Sequence, residues 1–412
     1  MSARCWRLSA ALALALGLAA CADGGAAAAP EGHVDASCRL ATINTDYLST
    51  SVSLLRADGS LCVAASITSG SRPPGVTTAL SGDVVLPTEP SPDGRLVLID
   101  RYPAAVLTFV VPETGAVERQ IGVGTGYPSN PHDVLFLSPQ RAWVTRYDRN
   151  PTPTVAPADL DDGADLLVLD PSTGALLDRV ELAAEASPGM EPRPDRLARV
   201  GDRVWVTLGN LSAGFDAGGP GVIVSLDPDA AAVVGRAELG GLASCGGTLA
   251  VSPDGAGAWV SCTGVFARGA TPQLAASGVV WLEGGADGAP VEGFRLQAAQ
   301  IGRGRPVGHP LAALDGGRAL VVVLGTLDGA PDALYLVDRA AGTATALDVE
   351  TEAFSLGAML APEPGALLVA DANRTHPALR RFTLTPTGVT EGARIVTDPV
   401  VGLEPRALAW FR

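Results

Sequence analysis

Lysine is missing from this 412-residue chain, so all 29 of its basic residues are arginine. Its 44 acids leave a formal net charge of −15, and setting aside residues 1–20, with Arg4, Arg7 and no acid, gives −15 − 2 = −17. An acidic chain without a basic cluster repels phosphate backbones, which argues against nucleic acid as a partner. Histidine is scarce, with four residues and no His-x-His spacing, and no Cys-x-x-Cys-His motif is present for covalent haem. The apolar run at 8–20 has 13 residues, fewer than the ~20 that a membrane-spanning helix needs. Apolar residues nevertheless make up 47% and charged ones 18%, ample for a core and against global disorder.

The N-terminus carries the most specific signal. Arg4 and Arg7 precede the apolar run, and Leu18-Ala19-Ala20-Cys21 closes it. This sequence resembles the lipobox of bacterial lipoproteins, which implies a signal peptide over 1–20 and a lipid on Cys21. Residues 21–37 are small and polar and read as a flexible tether to a single domain over 38–412. The expected location is outside the cytosol, anchored by lipid to the periplasmic or cell-surface side of a bacterial membrane.

The stretch 131–182 sets the architecture. Short apolar, β-branched runs at 134–137, 142–145, 166–169 and 175–182 are punctuated by Ser138-Pro139-Gln140 and Asp170-Pro171-Ser172-Thr173-Gly174, a strand-and-turn pattern with no helix. The last turn's glycine recurs at Gly59, Gly115, Gly174, Gly288, Gly342 and Gly388, with Ala231 in one copy. The spacings of 56, 59, 57, 57, 54 and 46 residues are those of propeller blades or solenoid units, and seven marks give seven repeats. The first copy has only three strands, near 39–43, 51–56 and 61–67, while one strand at 406–411 is left over at the C-terminus. Joining them completes a blade and closes the ring without a free edge. The expected fold is all-β: a seven-bladed β-propeller of four-stranded antiparallel blades, closed by one C-terminal strand on three N-terminal ones.

The segments Pro-His-Asp-Val (131–134), Arg-Ala-Trp-Val-Thr (141–145) and Leu-Leu-Val-Leu-Asp-Pro-Ser-Thr-Gly-Ala-Leu (166–176) resemble the YncE-like propellers of bacterial envelopes. The resemblance implies a binding or scaffold propeller rather than a particular activity. Lactonase-like or quinoprotein-like chemistry is the enzymatic alternative, and a purely structural surface protein is a third class.

In a propeller the connections between second and third strands share a face with those between blades. Here the former are long, at 148–164, 209–221, 264–277, 325–331 and 371–377, whereas first-to-second turns such as Pro92-Asp93-Gly94 are minimal. Loops longer than the fold requires mark the functional face. Candidate ligand-binding residues there are His132, Asp133, Arg146, Tyr147, Asp148, Asn210, His309, Asp371, Asn373, Arg374 and Arg406, joined by Asp46, Tyr47, Arg101, Tyr102 and Glu404 in a ring of both charge signs. Arginine and aromatic groups in such a ring suit a peptide or an anionic small molecule. His132 and His309 begin the inner strands of copies three and six, nearly across the ring, so they read as solvated or hydrogen-bonding residues and not as metal ligands.

Catalytic motifs are wanting, and no cofactor is expected. Gly209-Asn210-Leu211-Ser212-Ala213-Gly214 misses the nucleophile elbow because Asn210 stands where glycine is required. Asp159, Asp161, Asp162 and Asp165 do not have EF-hand spacing. Of the remaining cysteines, Cys245 and Cys262 flank the first hairpin of copy five about a midpoint of (245 + 262)/2 = 253.5, within Pro253-Asp254, and face each other if no bulge intervenes. Cys38 with Cys62 is then the second expected bridge.

Overall fold

The computed structural model describes residues 34–153, 160–265, 274–285, 287–302, 304–349, 351–385 and 388–412. Cys21 and residues 1–20, read from the sequence as a signal peptide, lie outside them. Among the described residues twenty-eight strands form seven four-stranded antiparallel sheets. Blade one sets the C-terminal strand Pro405–Trp410 innermost, followed by Cys38–Thr45, Thr50–Arg56 and Leu61–Thr68. The pairing Leu40 with Trp410 through Ile43 with Ala407 closes the ring as the leftover strand predicts.

The inner strands of blades two to seven are Val84–Val85, Pro131–Ser138, Pro194–Val200, Leu249–Val251, Val307–Ala313 and Leu356–Leu360. That of blade two is shorter than the predicted 83–86 because Pro87 and Pro90 follow, and proline supplies no N–H to a ladder.

Apolar residues from adjacent sheets interdigitate in seven clusters, one per blade junction; Leu40, Leu55, Leu368 and Leu379 fill the seam between blades seven and one. Three second strands each bury a tryptophan. The indole N–H of Trp205 donates to the Gly288 carbonyl at 3.1 Å and that of Trp259 to the Asp315 carbonyl at 3.1 Å, so each indole also stitches its blade to the next. Both predicted disulfides form, Cys38–Cys62 and Cys245–Cys262.

A channel of about 520 Å³ runs along the ring axis, lined by inner-strand residues of every blade except the third. The reason lies in residues 86–89. Thr88 donates from its N–H (2.9 Å) and hydroxyl (2.5 Å) to Asp133 of blade three, and Glu89 accepts the Arg199 N–H of blade four at 2.7 Å. The segment therefore screens the inner strand of blade three from the axis.

Candidate functional site

The inner strands share an irregularity at one level. In blade three the pairing passes from Pro131 with Arg146 to Val134 with Val144, leaving one residue extra, and blade four repeats this from Pro194 with Leu208 to Leu197 with Val206. The same shift occurs at Arg406 in blade one and between Leu356 and Met359 in blade seven, and blade six gains two residues between Val307 and Leu311. In blade five, Leu249 pairs with Val260 while the Thr263 N–H already reaches the Ser244 carbonyl, so two residues bulge at Gly246-Gly247. Bulges re-aim side chains. Here they set His132, Asp195, Arg196, His309 and Arg406 at one level of the ring, and of these Arg196 lines the channel. The expected disulfide register is corrected by the same feature: the hairpin of blade five turns one residue later than Pro253-Asp254, and the bulge restores Cys245 to its place beside Cys262.

A chain of polar contacts crosses blades two, three and four. Asp83 holds the guanidinium of Arg101, whose Nη1 lies 3.4 Å from Nε2 of His132, and Nδ1 of His132 is 2.9 Å from Oδ1 of Asp195. Asp195 in turn lies 3.4 Å from Nε of Arg196, whose Nη1 donates to the His132 carbonyl at 3.2 Å. An arginine N–H aimed at Nε2 requires that nitrogen to be unprotonated. His132 is therefore the neutral tautomer with its proton on Nδ1. Its burial lowers its pKa, Asp195 opposes, and Arg101 and Arg196 reinforce the lowering. Burial works against the charge of Asp195, yet the hydrogen bond from His132 and the charge of Arg196 outweigh it and keep the carboxyl below the ordinary range.

His309 is different. Desolvation by the protein packed around it lowers its pKa, with Asp195 opposing and Arg196 and His132 adding to the lowering. These interactions place it close enough to the other three groups to share their field, which the wide separation expected from blade numbering did not anticipate. Its ring is exposed and makes no hydrogen bond among the described residues. Nη2 of Arg196 likewise has no partner among them. Of these two groups Arg196 lines the channel, and the His309 ring stands against Gly247, a lining residue of the adjacent blade.

An aromatic platform adjoins them. His132 stacks on Tyr147 with ring centroids 4.2 Å apart and planes at 6°, Tyr147 stacks on Phe215 at 6.4 Å, and Arg193 lies 3.9 Å over the Phe215 ring. Arg193 is fixed by Asp148 at 2.6 Å and Glu191 at 2.9 Å. Arg406 lies 4.9 Å from the centre of the Tyr47 ring and pairs with Glu404 at 2.6 Å.

Other candidates serve inside the blades. Asp133 is fully buried and accepts hydrogen bonds from Thr88, Val134 and Leu197; burial pushes its carboxyl up to about 6 against Arg196 and these bonds. Arg146 is fully buried in a bidentate pair with Asp165 at 2.7 and 2.6 Å. Asp371 faces Arg380 at 3.1 Å and its pKa is raised by burial, with Arg380 opposing. Asn210 is clamped by Ser187 and the Pro220 carbonyl, and Asn373 accepts the N–H groups of Thr375 and His376 in a turn. Arg374 stays exposed, its N–H near Glu352. Of the acidic loop, Asp159 lies outside the described residues, while Asp162 and Asp165 are taken by arginines; no cluster able to hold a metal ion exists among the described residues.

Sequence reasoning missed Asp195 and Arg196. The signal for them was present: Pro194-Asp195-Arg196 occupies in blade four the place of Pro131-His132-Asp133 in blade three and Pro405-Arg406-Ala407 in blade one.

No family model matches the chain, and no curated protein does. Solved structures are similar in fold. The periplasmic gluconolactonase of Pseudomonas aeruginosa superposes with a TM-score of 0.56 at 17% identity, over 90% of this chain and 98% of that one. A putative 6-phosphogluconolactonase from Bacteroides fragilis gives 0.55 at 14%, over 91% and 98%. A protein from Lactobacillus plantarum gives 0.56 at 14%, over 91% and 99%. At these identities the likeness establishes a shared seven-bladed propeller fold.

Proposed function

We propose that this chain is an exported, lipid-anchored binding propeller that takes a small anionic ligand at the channel mouth. The observation that carries the reading is the pair of uncommitted groups, Nη2 of Arg196, which lines the channel, and the His309 ring, which stands against Gly247 of the same wall, both set by bulges near an aromatic platform. Cationic and aromatic groups at the rim of a concave site with few polar donors suit recognition of a carboxylate or phosphate. Two disulfides accord with an oxidising compartment, and the net charge of −15 disfavours nucleic acid. Attachment to the membrane is through the lipid on Cys21.

A thermal-shift panel of small carboxylates and phosphates on the full chain tests the reading. A ligand at one hundred times its Kd stabilises the folded state by about 2.7 kcal/mol. The expected result is a rise in Tm with at least one anion that His309→Ala removes. A flat panel, or a rise that survives His309→Ala, contradicts it.

A second reading is favoured by the same free imidazole. Neutral near pH 7 and beside ionised Asp195, His309 can accept a proton from water, and two of the similar structures are described as a gluconolactonase or a putative one. Lactone hydrolysis measured by acid release, and lost in His309→Ala, would replace the binding reading with an enzymatic one.

A further inference from the structure

The channel beneath the mouth has a character of its own. Its wall is built largely of small apolar side chains, Ala250, Ala312, Ala358 and Ala407, with Met359 and Trp410 toward the lower part. Residues 86–89 fill the side before blade three, so the remaining space is a single off-centre bore. Its volume of about 520 Å³ falls within the ~300–1,000 Å³ of small-molecule sites. Polarity is confined to its ends. Arg196 stands at the upper end beside His309, and the lower end carries Arg199 already paired with Glu89. At the upper end Nη2 of Arg196 has no hydrogen-bond partner among the described residues, whereas both terminal nitrogens of Arg199 are taken, by Glu89 and the Phe136 carbonyl.

We infer that the bore accommodates the alkyl chain of a medium-chain monocarboxylate whose head group is held at the mouth by Arg196 and His309. The inference rests on the binding reading above and adds the ligand class. The carboxylate fits the two free donors: Nη2 of Arg196 donates directly, and neutral His309 donates through whichever ring nitrogen carries its proton. The alkyl chain fits the alanine wall, where water finds few hydrogen-bonding partners and apolar groups gain by displacing it. A single bore without a second branch favours one chain over a two-chain lipid.

Titration calorimetry of the full chain with butanoate, hexanoate, octanoate and decanoate tests this. Burial of each methylene adds about 0.8 kcal/mol, so affinity rises about fourfold per methylene until the bore is full. Octanol, with the chain but no charge, binds about tenfold or more weaker than octanoate. Ala358→Leu, which narrows the bore, removes the dependence on chain length, while Arg196→Gln and His309→Ala weaken octanoate about tenfold. Circular dichroism and Tm establish that each variant is folded, and the chain-length series on the unaltered protein stands without them. Affinity independent of chain length, or equal for octanol and octanoate, overturns the inference. If octanoate binding is independent of chain length yet still falls in Arg196→Gln and His309→Ala, the mouth remains a carboxylate site and the bore plays no part. If no carboxylate binds, the inference falls, and the binding reading falls with it only if the phosphates of the thermal-shift panel also fail.

Discussion

Gly247 leaves room for His309: a Cβ built on this glycine would stand 1.9 Å from Nδ1 of the imidazole and 2.8 Å from the His309 Cβ. The bulge of blade five brings the two together from adjacent inner strands. Gly247→Ala therefore displaces the ring from its place against this glycine while leaving the imidazole in the protein. Because the protein surroundings lower the pKa of His309, displacement raises it toward 6.5. The expected outcome is an upward shift in the His309 titration followed by NMR, with at least about tenfold weaker binding of any anion that His309→Ala also loses. An unchanged titration and affinity would show that the contact does not position the ring.

Acidification acts on His132 in a defined direction. Its folded-state pKa lies below 6.5, chiefly through burial, so between the lowered value and 6.5 the unfolded chain binds a proton that the folded chain does not. Stability is present above that window and lost as pH falls through it; His309 adds in the same sense. Asp133 acts oppositely. With its carboxyl raised to about 6 from an ordinary 3.8, the folded state binds more protons between those values and gains stability as pH falls there. The expected result is a Tm that declines from pH 7.5 to 6, with a shallower slope in His132→Asn and a compensating gain at lower pH that Asp133→Asn abolishes. An unaltered slope in His132→Asn contradicts the assignment.

The bridge Cys245–Cys262 lies next to Gly246-Gly247 and closes a loop with a sequence separation of 17. Loop-closure entropy gives such a crosslink about 3 kcal/mol. Replacing both cysteines by alanine lowers the unfolding free energy by up to that amount in denaturant titration. Because the bridge fixes the bulge, ligand affinity at the mouth also falls. A loss of stability with affinity intact would confine the bridge to a structural role.

Ala231 occupies the turn position that glycine takes in the other copies. Its φ is +51°, alongside +84° at Gly59, +68° at Gly115, +77° at Gly174, +73° at Gly288 and +67° at Gly342. The left-handed conformation costs a non-glycine residue about 1–2 kcal/mol, against about 0.4–1 kcal/mol for the extra freedom glycine has when unfolded. Ala231→Gly is expected to stabilise the protein by about 0.5–1 kcal/mol in denaturant unfolding. A destabilised variant would mean that the turn is not strained.

The fold was legible because turn chemistry repeats: a left-handed position needs glycine, so the mark survives at Gly59, Gly115 and Gly174 where the strands between them vary. The terminal strand 405–410 was legible because a propeller cannot leave its first sheet one strand short. The site was less so. A bulge at Asp195-Arg196 breaks the alternation by which strands are read, and only comparison of Pro194 with Pro131 and Pro405 aligns the mouths of the blades. Arg146 and Asp371 were placed on the functional face because their partners, Asp165 and Arg380, lie on the neighbouring third strands, and no spacing rule shows which polar residues pair across a sheet. His132 and His309 were indistinguishable by sequence; the partners Arg101 and Asp195 separate the committed ring from the free one.

The measurement closest to the central claim is a two-dimensional NMR titration of the histidine rings of the full chain with octanoate. The chain has four histidines, His33, His132, His309 and His376, so the response of His309 is read against three other rings. Binding at the mouth gives a large saturable shift at His309 and a smaller one at His132 through Arg196 and Asp195. Shifts absent from His309, or equal at all four rings, would contradict it.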